Sequence, residues 1–100
     1  MEKKDEQRKR LKNLSIGDLV WEFVPREVEL DYHPAVVKRV DIEGSCVEVI
    51  DVSSPNNPIK NYNNFLTKSE MLATGFREED LQENYKKYQT IIDEVIKGKR

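Results

Sequence analysis

Apolar and polar residues alternate in three short runs in the first half of the chain. In the first run, Leu19, Trp21 and Phe23 occupy every second position. Successive side chains of a β-strand point to opposite faces, so this alternation predicts a strand with one apolar, aromatic face. The two later runs are rich in β-branched residues, which also favours strands. The three predicted strands cover residues 18–24, 34–40 and 46–52.

Residues 53–64 contain two prolines and five asparagines, a composition typical of a structured loop. The loop has room for a short edge strand around residues 59–62. A helix start follows, because Thr67 and Glu70 stand at the two positions of a capping box, in which each side chain satisfies a free backbone amide of the other residue. Gly75 predicts the end of this short helix.

The chain closes with the pattern of an amphipathic helix over about residues 78–98. Acidic residues stand in its first turn and basic residues at its end, as the helix dipole favours. Apolar residues recur at spacings of four, three, four and three, which places them on one face. The members of this stripe are Leu81, Tyr85, Tyr88, Ile92 and Val95. The stripe must be buried, either against the chain's own sheet or as a partner or dimer face, and both alternatives stay open.

Closely spaced antiparallel strands followed by helices predict a mainly β fold with α-helical additions. We expect a small SH3-like β-barrel, then a short helix and the long C-terminal amphipathic helix. The chain of 100 residues is long enough for one hydrophobic core, so we expect a single domain over residues 14–100. Residues 2–12 are good helix formers with almost no apolar face, and we expect residues 1–13 to be a charged tail or helix.

Charge is unevenly distributed along the chain. The formal net charge is −2, but the first 12 residues and the last four each carry +3, which leaves −8 on the interior. An acidic body does not attract the phosphate backbone of a nucleic acid over long range. Any contact with nucleic acid therefore needs a local basic patch or the two basic ends of the chain.

The chain has one cysteine, Cys46, and one histidine, His33. An internal disulfide and a cysteine zinc site are excluded, and a single histidine argues against a histidine metal site. We therefore expect no metal and no cofactor. No apolar run approaches the roughly 18 residues of a membrane span, and residues 1–12 lack the apolar segment of a secretory signal. We expect a cytoplasmic protein with no membrane contact.

Three short motifs carry a family resemblance. They are Gly-Asp-Leu-Val-Trp at residues 17–21, Pro-Ala-Val-Val at residues 34–37, and the pair Ser53 and Ser54 after a hydrophobic strand. With these motifs, residues 16–54 resemble the PemK/MazF family of toxin endoribonucleases, and residues 78–98 resemble its closing helix more loosely. The resemblance implies an SH3-like barrel, from a prokaryote, a phage or another mobile element, that cleaves RNA without a metal. It also implies an antitoxin or another protein as a partner.

The resemblance assigns roles to particular residues. Members of the family have a catalytic arginine before Pro-Ala-Val-Val, and His33 stands there in this chain. They have a catalytic threonine at the end of the later strand, and Ser53 or Ser54 stands near that position. Histidine is a common general acid or base, and serine can donate a hydrogen bond. Arg26 or Arg39 would supply a positive charge that binds phosphate, and Trp21 is a further candidate substrate contact whose size also suits the core.

The same residues resemble a second family, the PWWP domains, which are chromatin-reading barrels of the Tudor type. Their first strand reads Gly-Asp-Leu-Val-Trp, and residues 31–37 of this chain stand where their Trp-Pro-Ala-x-Val strand would. This alternative implies a non-catalytic binding module for a protein or a nucleic acid. A reader of that kind needs an aromatic cage, for which Tyr32, Trp21 and Phe23 are nearby candidates. A ribonuclease instead needs a basic groove that contains His33.

Overall fold

The described part of the chain forms one antiparallel sheet of five strands, in the order β4-β3-β2-β1-β5, together with four helices. This computed structural model describes the backbone of residues 2–25, 30–52 and 57–100, and the side chains of residues 6–23, 32–52 and 57–100. The strands are β1 (Leu19–Pro25), β2 (Leu30–Asp41), β3 (Cys46–Asp51), β4 (Pro58–Asn61) and β5 (Phe65–Leu66). The helices are α1 (Glu2–Lys12), α2 (Lys68–Ala73), α3 (Glu78–Lys87) and α4 (Gln89–Ile96). The fold is therefore mixed α and β with a substantial sheet.

The sheet contains the three strands that the alternation predicts and two more. β1, β2 and β3 pair as consecutive antiparallel neighbours. β2 begins at Leu30 rather than at Pro34, because its first residues pair with the end of β1. The edge strand expected near residues 59–62 is confirmed as β4. β5 has only two residues, too few for an alternating pattern to show in the sequence.

The sheet curls so strongly that β4 reaches β1. In a flat sheet, β1 and β4 would lie three strand spacings apart, or about 14 Å. In this structure, Asn61 at the end of β4 donates a hydrogen bond to Glu22 of β1 at 2.6 Å. The backbone amide of Phe23 also donates to the Asn64 carbonyl oxygen at 3.1 Å. Among the described strands, β4 and β5 do not pair with each other, so the sheet is curled but not closed by hydrogen bonds.

Both faces of the sheet carry a hydrophobic core, one under α1 and the other under α2, α3 and α4. The core on the side of α2 to α4 contains Leu19, Trp21, Val36, Ile50, Met71, Leu81, Ile92 and Val95. The core on the side of α1 contains Leu11, Val20, Ala35, Val37, Val47, Val49 and Phe65. Burial on both faces explains why the middle of β2 reads as a continuous apolar run.

α1 is held on the sheet largely by polar contacts, since its sequence has almost no apolar face. Leu11 is fully buried. The guanidinium of Arg10 forms an ion pair with Glu70 at 2.8 Å and donates to the Phe65 carbonyl oxygen at 2.9 Å. It also lies 4.6 Å from the centre of the Phe65 ring, a distance at which a cation attracts an aromatic face. The side chain of Gln7 adds hydrogen bonds to two backbone carbonyl oxygens. The predicted charged segment is thus a docked helix.

The short helix α2 begins as its capping box predicts. The Glu70 amide donates to Thr67 Oγ1 at 3.3 Å, and the Thr67 amide donates to Glu70 Oε1 at 2.9 Å. Burial alone would raise the pKa of Glu70, but the Thr67 amide and the Arg10 guanidinium outweigh it and hold that pKa below its ordinary value. Glu70 therefore serves both the start of α2 and the docking of α1.

The C-terminal segment is interrupted where the sequence predicts one continuous helix. Tyr88 separates α3 from α4, with backbone angles of φ −107° and ψ 20°. Three consecutive β-branched residues, 90–92, follow this break, and such residues lower helix propensity. Gly98 has a positive φ of 76° just beyond the end of α4, as glycine commonly does after a helix.

The apolar stripe of α3 and α4 packs against the chain's own sheet. Leu81, Ile92 and Val95 are each at most 5% exposed, and Tyr85 and Tyr88 are partly buried. Leu81, Ile92 and Val95 belong to the core that contains Trp21. These three side chains are therefore not available as a partner or dimer face, because the sheet already covers them.

The docking of α1 can be tested with two leucines. We expect Leu11→Ala to lower the free energy of unfolding by about 2–5 kcal/mol, because it removes a fully buried side chain. Leu72→Ala is the control, since Leu72 is 38% exposed on α2 and its truncation should cost much less. Urea denaturation of both variants measures the difference. Equal small losses would contradict the packing of α1 on the sheet.

Candidate functional site

A polar cluster lies on the α1 side of the sheet, where the apolar positions of that face end. Its members stand on four different strands, and the alternation of side chains brings them to one face. They are Glu22 on β1, His33 on β2, Asp51 on β3 and Asn61 on β4. We refer to these four residues as the Glu22 cluster.

Glu22 is the buried centre of the cluster. It is only 8% exposed, because it pairs with His33 of β2 on one side and with Phe65 of β5 on the other. Its Oε2 accepts a hydrogen bond of 2.6 Å from Asn61 Nδ2. No described group donates to Oε1. One oxygen of Glu22 is therefore held by Asn61, and no group among the described residues holds the other.

The environment of Glu22 favours its neutral form. Burial is the main cause, and it raises the pKa of Glu22 above its ordinary value. The negative charge of Asp51 acts in the same direction. The hydrogen bond from Asn61 and the charge of His33 oppose this and stabilise the carboxylate. Glu22 thus exchanges its proton at a higher pH than an ordinary carboxyl group, as carboxyl groups in general acid–base catalysis do.

His33 stands directly opposite Glu22 and is exposed to solvent. Side chains that face each other in this way have Cβ atoms about 4.5–5.5 Å apart. The next residue of β2 is Pro34, and its carbonyl oxygen accepts a hydrogen bond from the Val52 amide at 3.5 Å. The end of β3 thus runs beside the residue that follows His33. The arrangement places an exposed imidazole next to a carboxyl group that is largely shielded from water.

Other residues with predicted roles are not described or lie elsewhere. Arg26, Ser53 and Ser54 lie outside the described residues. Arg39 is exposed on β2 opposite Glu48, six positions along the strand from His33, which corresponds to about 20 Å. The structure therefore does not bring Arg39 to the Glu22 cluster.

Trp21 is a core residue rather than a substrate contact. It is 3% exposed, and its ring packs edge to face with the Tyr85 ring, with 6.3 Å between the ring centres. Alternation places Trp21 on the face opposite Glu22. A side chain buried under α3 cannot reach a substrate at the Glu22 cluster.

Three other aromatic rings pack together on the same side of the sheet as Trp21. Tyr32 lies between Phe23 and Phe76, at centre-to-centre distances of 6.1 Å and 5.4 Å. Both pairs meet edge to face, with interplanar angles of 64° and 76°. Each contact sets a ring edge against a neighbouring ring face, so these rings form a packed group rather than an open aromatic cage. Phe76, after α2, is a member that the sequence patterns do not indicate.

A cavity of about 360 Å³ lies between α1, α2, α3 and the start of β1. Its lining includes two cationic side chains, Arg10 and Lys68, and two acidic ones, Asp18 and Glu70. Arg10 is paired with Glu70, and Lys68 Nζ lies 3.5 Å from Glu78. The two positive and two negative side chains leave the lining without a net charge.

Sequence patterns indicate His33 but miss Glu22 and Asn61. Glu22 stands at an alternate position of a predicted strand, where a carboxylate usually faces water. Its signal is its location between Val20 and Val24, which are apolar positions on the same strand face. Asn61 is one of five asparagines in a segment where turn chemistry explains all of them.

No protein-family model, curated protein or solved structure matches this chain in the comparisons. The described residues contain no group of three or more histidine, cysteine, aspartate and glutamate side chains that could hold a metal ion. No helix in the described part of the chain is long and apolar enough to cross a membrane. The functional argument therefore rests on the Glu22 cluster itself.

The raised pKa of Glu22 predicts how stability depends on pH. Because the folded state favours the neutral carboxyl group, ionisation of Glu22 destabilises the fold as pH rises from the ordinary glutamate value through the raised one. Glu22→Gln cannot ionise, and its amide oxygen can still accept the bond from Asn61. We expect the Tm of the wild-type protein, relative to that of Glu22→Gln, to fall over this pH range and to level off above it.

Thermal unfolding at a series of pH values tests this expectation. Glu43→Gln, which changes an exposed glutamate in the β2–β3 turn, is the control for the loss of one charge. A Tm difference between wild type and Glu22→Gln that is constant with pH, or that rises with it, would contradict the burial of Glu22.

Proposed function

We propose that the protein is a divergent endoribonuclease of the PemK/MazF type, in which His33 and Glu22 carry the proton transfers. The observation that supports this best is their direct pairing across β1 and β2. One is an exposed imidazole, and the other is a buried carboxyl group with a raised pKa. An imidazole and a carboxyl group that face each other in this way can act together as a general acid and a general base.

The reaction needs two proton transfers around one phosphodiester. The Glu22 carboxylate accepts the proton of the ribose 2′-hydroxyl as that oxygen attacks phosphorus. The His33 imidazolium donates its proton to the 5′-oxygen as the bond from phosphorus to that oxygen breaks. The products are a 2′,3′-cyclic phosphate and a 5′-hydroxyl, and each catalytic group ends in the form in which the other began. Water or product exchange then restores the starting protonation.

The SH3-like barrel is part of the same proposal. β4 and β5 stand at opposite edges of the strand order, yet only residues 62–64 connect them. The contacts of Asn61 and Asn64 with β1 bring these edges together. This curl supports the proposal of a small barrel, although β4 and β5 are not joined in a ladder.

A non-catalytic binding module is the second candidate, and the charge of the cluster favours it. Glu22 and Asp51 bring two carboxyl groups to the face where a phosphate would have to lie. The described cations Lys38 and Arg39 stand farther along β2. An acidic site repels phosphate, so it suits a protein partner better than an RNA. In this alternative, His33 contacts the partner and no bond is cleaved.

Cleavage of a long single-stranded RNA in the presence of a chelator separates the two candidates. We expect discrete fragments that end in 2′,3′-cyclic phosphate from the wild-type protein. We expect His33→Ala and Glu22→Gln each to reduce the rate about 100-fold or more, the usual contribution of a general acid or base. Arg39→Ala is the matched control and should change the rate less than twofold, because Arg39 lies away from the cluster.

The outcome that contradicts the ribonuclease proposal is the absence of cleavage by a wild-type protein whose circular dichroism shows a folded sheet. Equal loss of activity in Arg39→Ala would contradict the location of the site at the Glu22 cluster. Cleavage that is unaffected by His33→Ala would exclude the imidazole from the reaction.

A further inference from the structure

Both ends of the Asn61 side-chain amide are used. Asn61 Nδ2 donates to Glu22 Oε2 at 2.6 Å and to the Asn64 carbonyl oxygen at 3.1 Å. Its Oδ1 accepts a hydrogen bond from the Asn64 amide at 2.8 Å. The backbone of Asn64 therefore fixes which end of the amide faces Glu22. A flipped amide would place its oxygen against the carboxylate and its NH₂ group against an N–H donor.

We propose that Asn61 is a positioning residue, whose amide holds the carboxylate of Glu22 in place opposite His33. The role in cleavage rests on the proposed function, whereas the hydrogen bond and its effect on Glu22 do not. Asn61 is buried to the same degree as Glu22, at 9% and 8% exposed. A hydrogen bond to a charged group in such a site is stronger than one between neutral groups.

The charged groups around Glu22 show why this donor matters. Asp51 of β3 and burial both disfavour the ionised carboxylate, and His33 of β2 favours it only while the imidazole is protonated. On α1, Arg10 is engaged with Glu70 and with the carbonyl oxygen of Phe65. After His33 has donated its proton, Asn61 remains as the described neighbour that stabilises the Glu22 carboxylate. Without Asn61, the pKa of Glu22 would rise further and its protonated form would be favoured more strongly.

Asparagine suits this position better than related side chains. Aspartate has no N–H to donate and would add a third carboxyl group beside Glu22 and Asp51. Leucine has a similar size but can neither donate to Glu22 nor accept from the Asn64 amide. The neighbouring Asn63 is exposed in the same turn, and it provides a matched control for both substitutions.

The first test uses the wild-type protein, with Glu22→Gln only as a control. Nuclear magnetic resonance can follow the side-chain amide signals of Asn61 and Asn63 and the carboxyl carbon of Glu22 across pH. We expect the Asn61 amide to shift with the same midpoint as the Glu22 carboxyl carbon, and the Asn63 amide to show no transition at that pH. In Glu22→Gln, the Asn61 transition at that midpoint should be lost.

The second test compares Asn61→Leu with Asn63→Leu. We expect Asn61→Leu to move the Glu22 titration to higher pH, because the carboxylate loses its donor. The acid limb of the pH–rate profile for RNA cleavage should move by the same amount. On the acid limb, where the rate is proportional to the ionised fraction of Glu22, each pH unit of this movement lowers the rate tenfold. Asn63→Leu should leave both curves in place.

The outcomes separate the two proposals. An Asn61 amide that does not follow Glu22 in the wild-type protein overturns the positioning role. An Asn61→Leu variant that folds and cleaves with an unchanged pH profile overturns it as well. A wild-type protein that cleaves no RNA while Asn61 follows Glu22 overturns the ribonuclease function and confirms the contact between the two side chains.

Discussion

Three residues, 62–64, carry the chain from one edge of the sheet to the other, and the rest of the structure depends on this short connection. Its flanking residues, Asn61 and Phe65, belong to strands that pair with β3 and β1 respectively. Four residue steps of backbone span at most about 14 Å, so the two edges must approach each other. The sheet curls as a result, and the turn covers Glu22. A carboxyl group that strand alternation would leave in water thereby becomes a buried one.

The sequence predicts those parts of the fold that depend on local patterns. Alternation located β1, β2 and β3, and the capping box of Thr67 and Glu70 located the start of α2. The burial of Glu22 could not be predicted in this way, because it depends on a two-residue strand and a turn about 40 positions later in the chain. The docking of α1 on the sheet could not be predicted from the sequence for a similar reason. Its anchor is the contact of Arg10 with Phe65, and a charged side chain gives no signal of burial in a hydrophobicity pattern.

The residues of the candidate site also differ in whether a local sequence pattern could predict them. His33 could be found from the motif that surrounds it, because it precedes a recognisable strand. Its opposite residue on β1 could not, since register between strands is a property of the folded sheet. Arg39 shows the opposite case. Its residue type suits a phosphate contact and it lies on the same strand as His33, but it is too far along β2 to reach the Glu22 cluster. The geometry supplies a pair of groups for proton transfer, whereas the attraction of phosphate depends on charge that the described part of this face does not concentrate.

The contacts of α1 also determine when this segment can dock during synthesis of the chain. Arg10 is bound by Glu70, which follows it by 60 residues, and a chain emerges from the ribosome with its N-terminus first. The helix at the beginning of the chain must therefore wait, exposed and without its partners, until the strands and the start of α2 have been made. The high density of charge in this segment keeps it soluble during that time, because a segment with almost no apolar face has little tendency to associate with other chains.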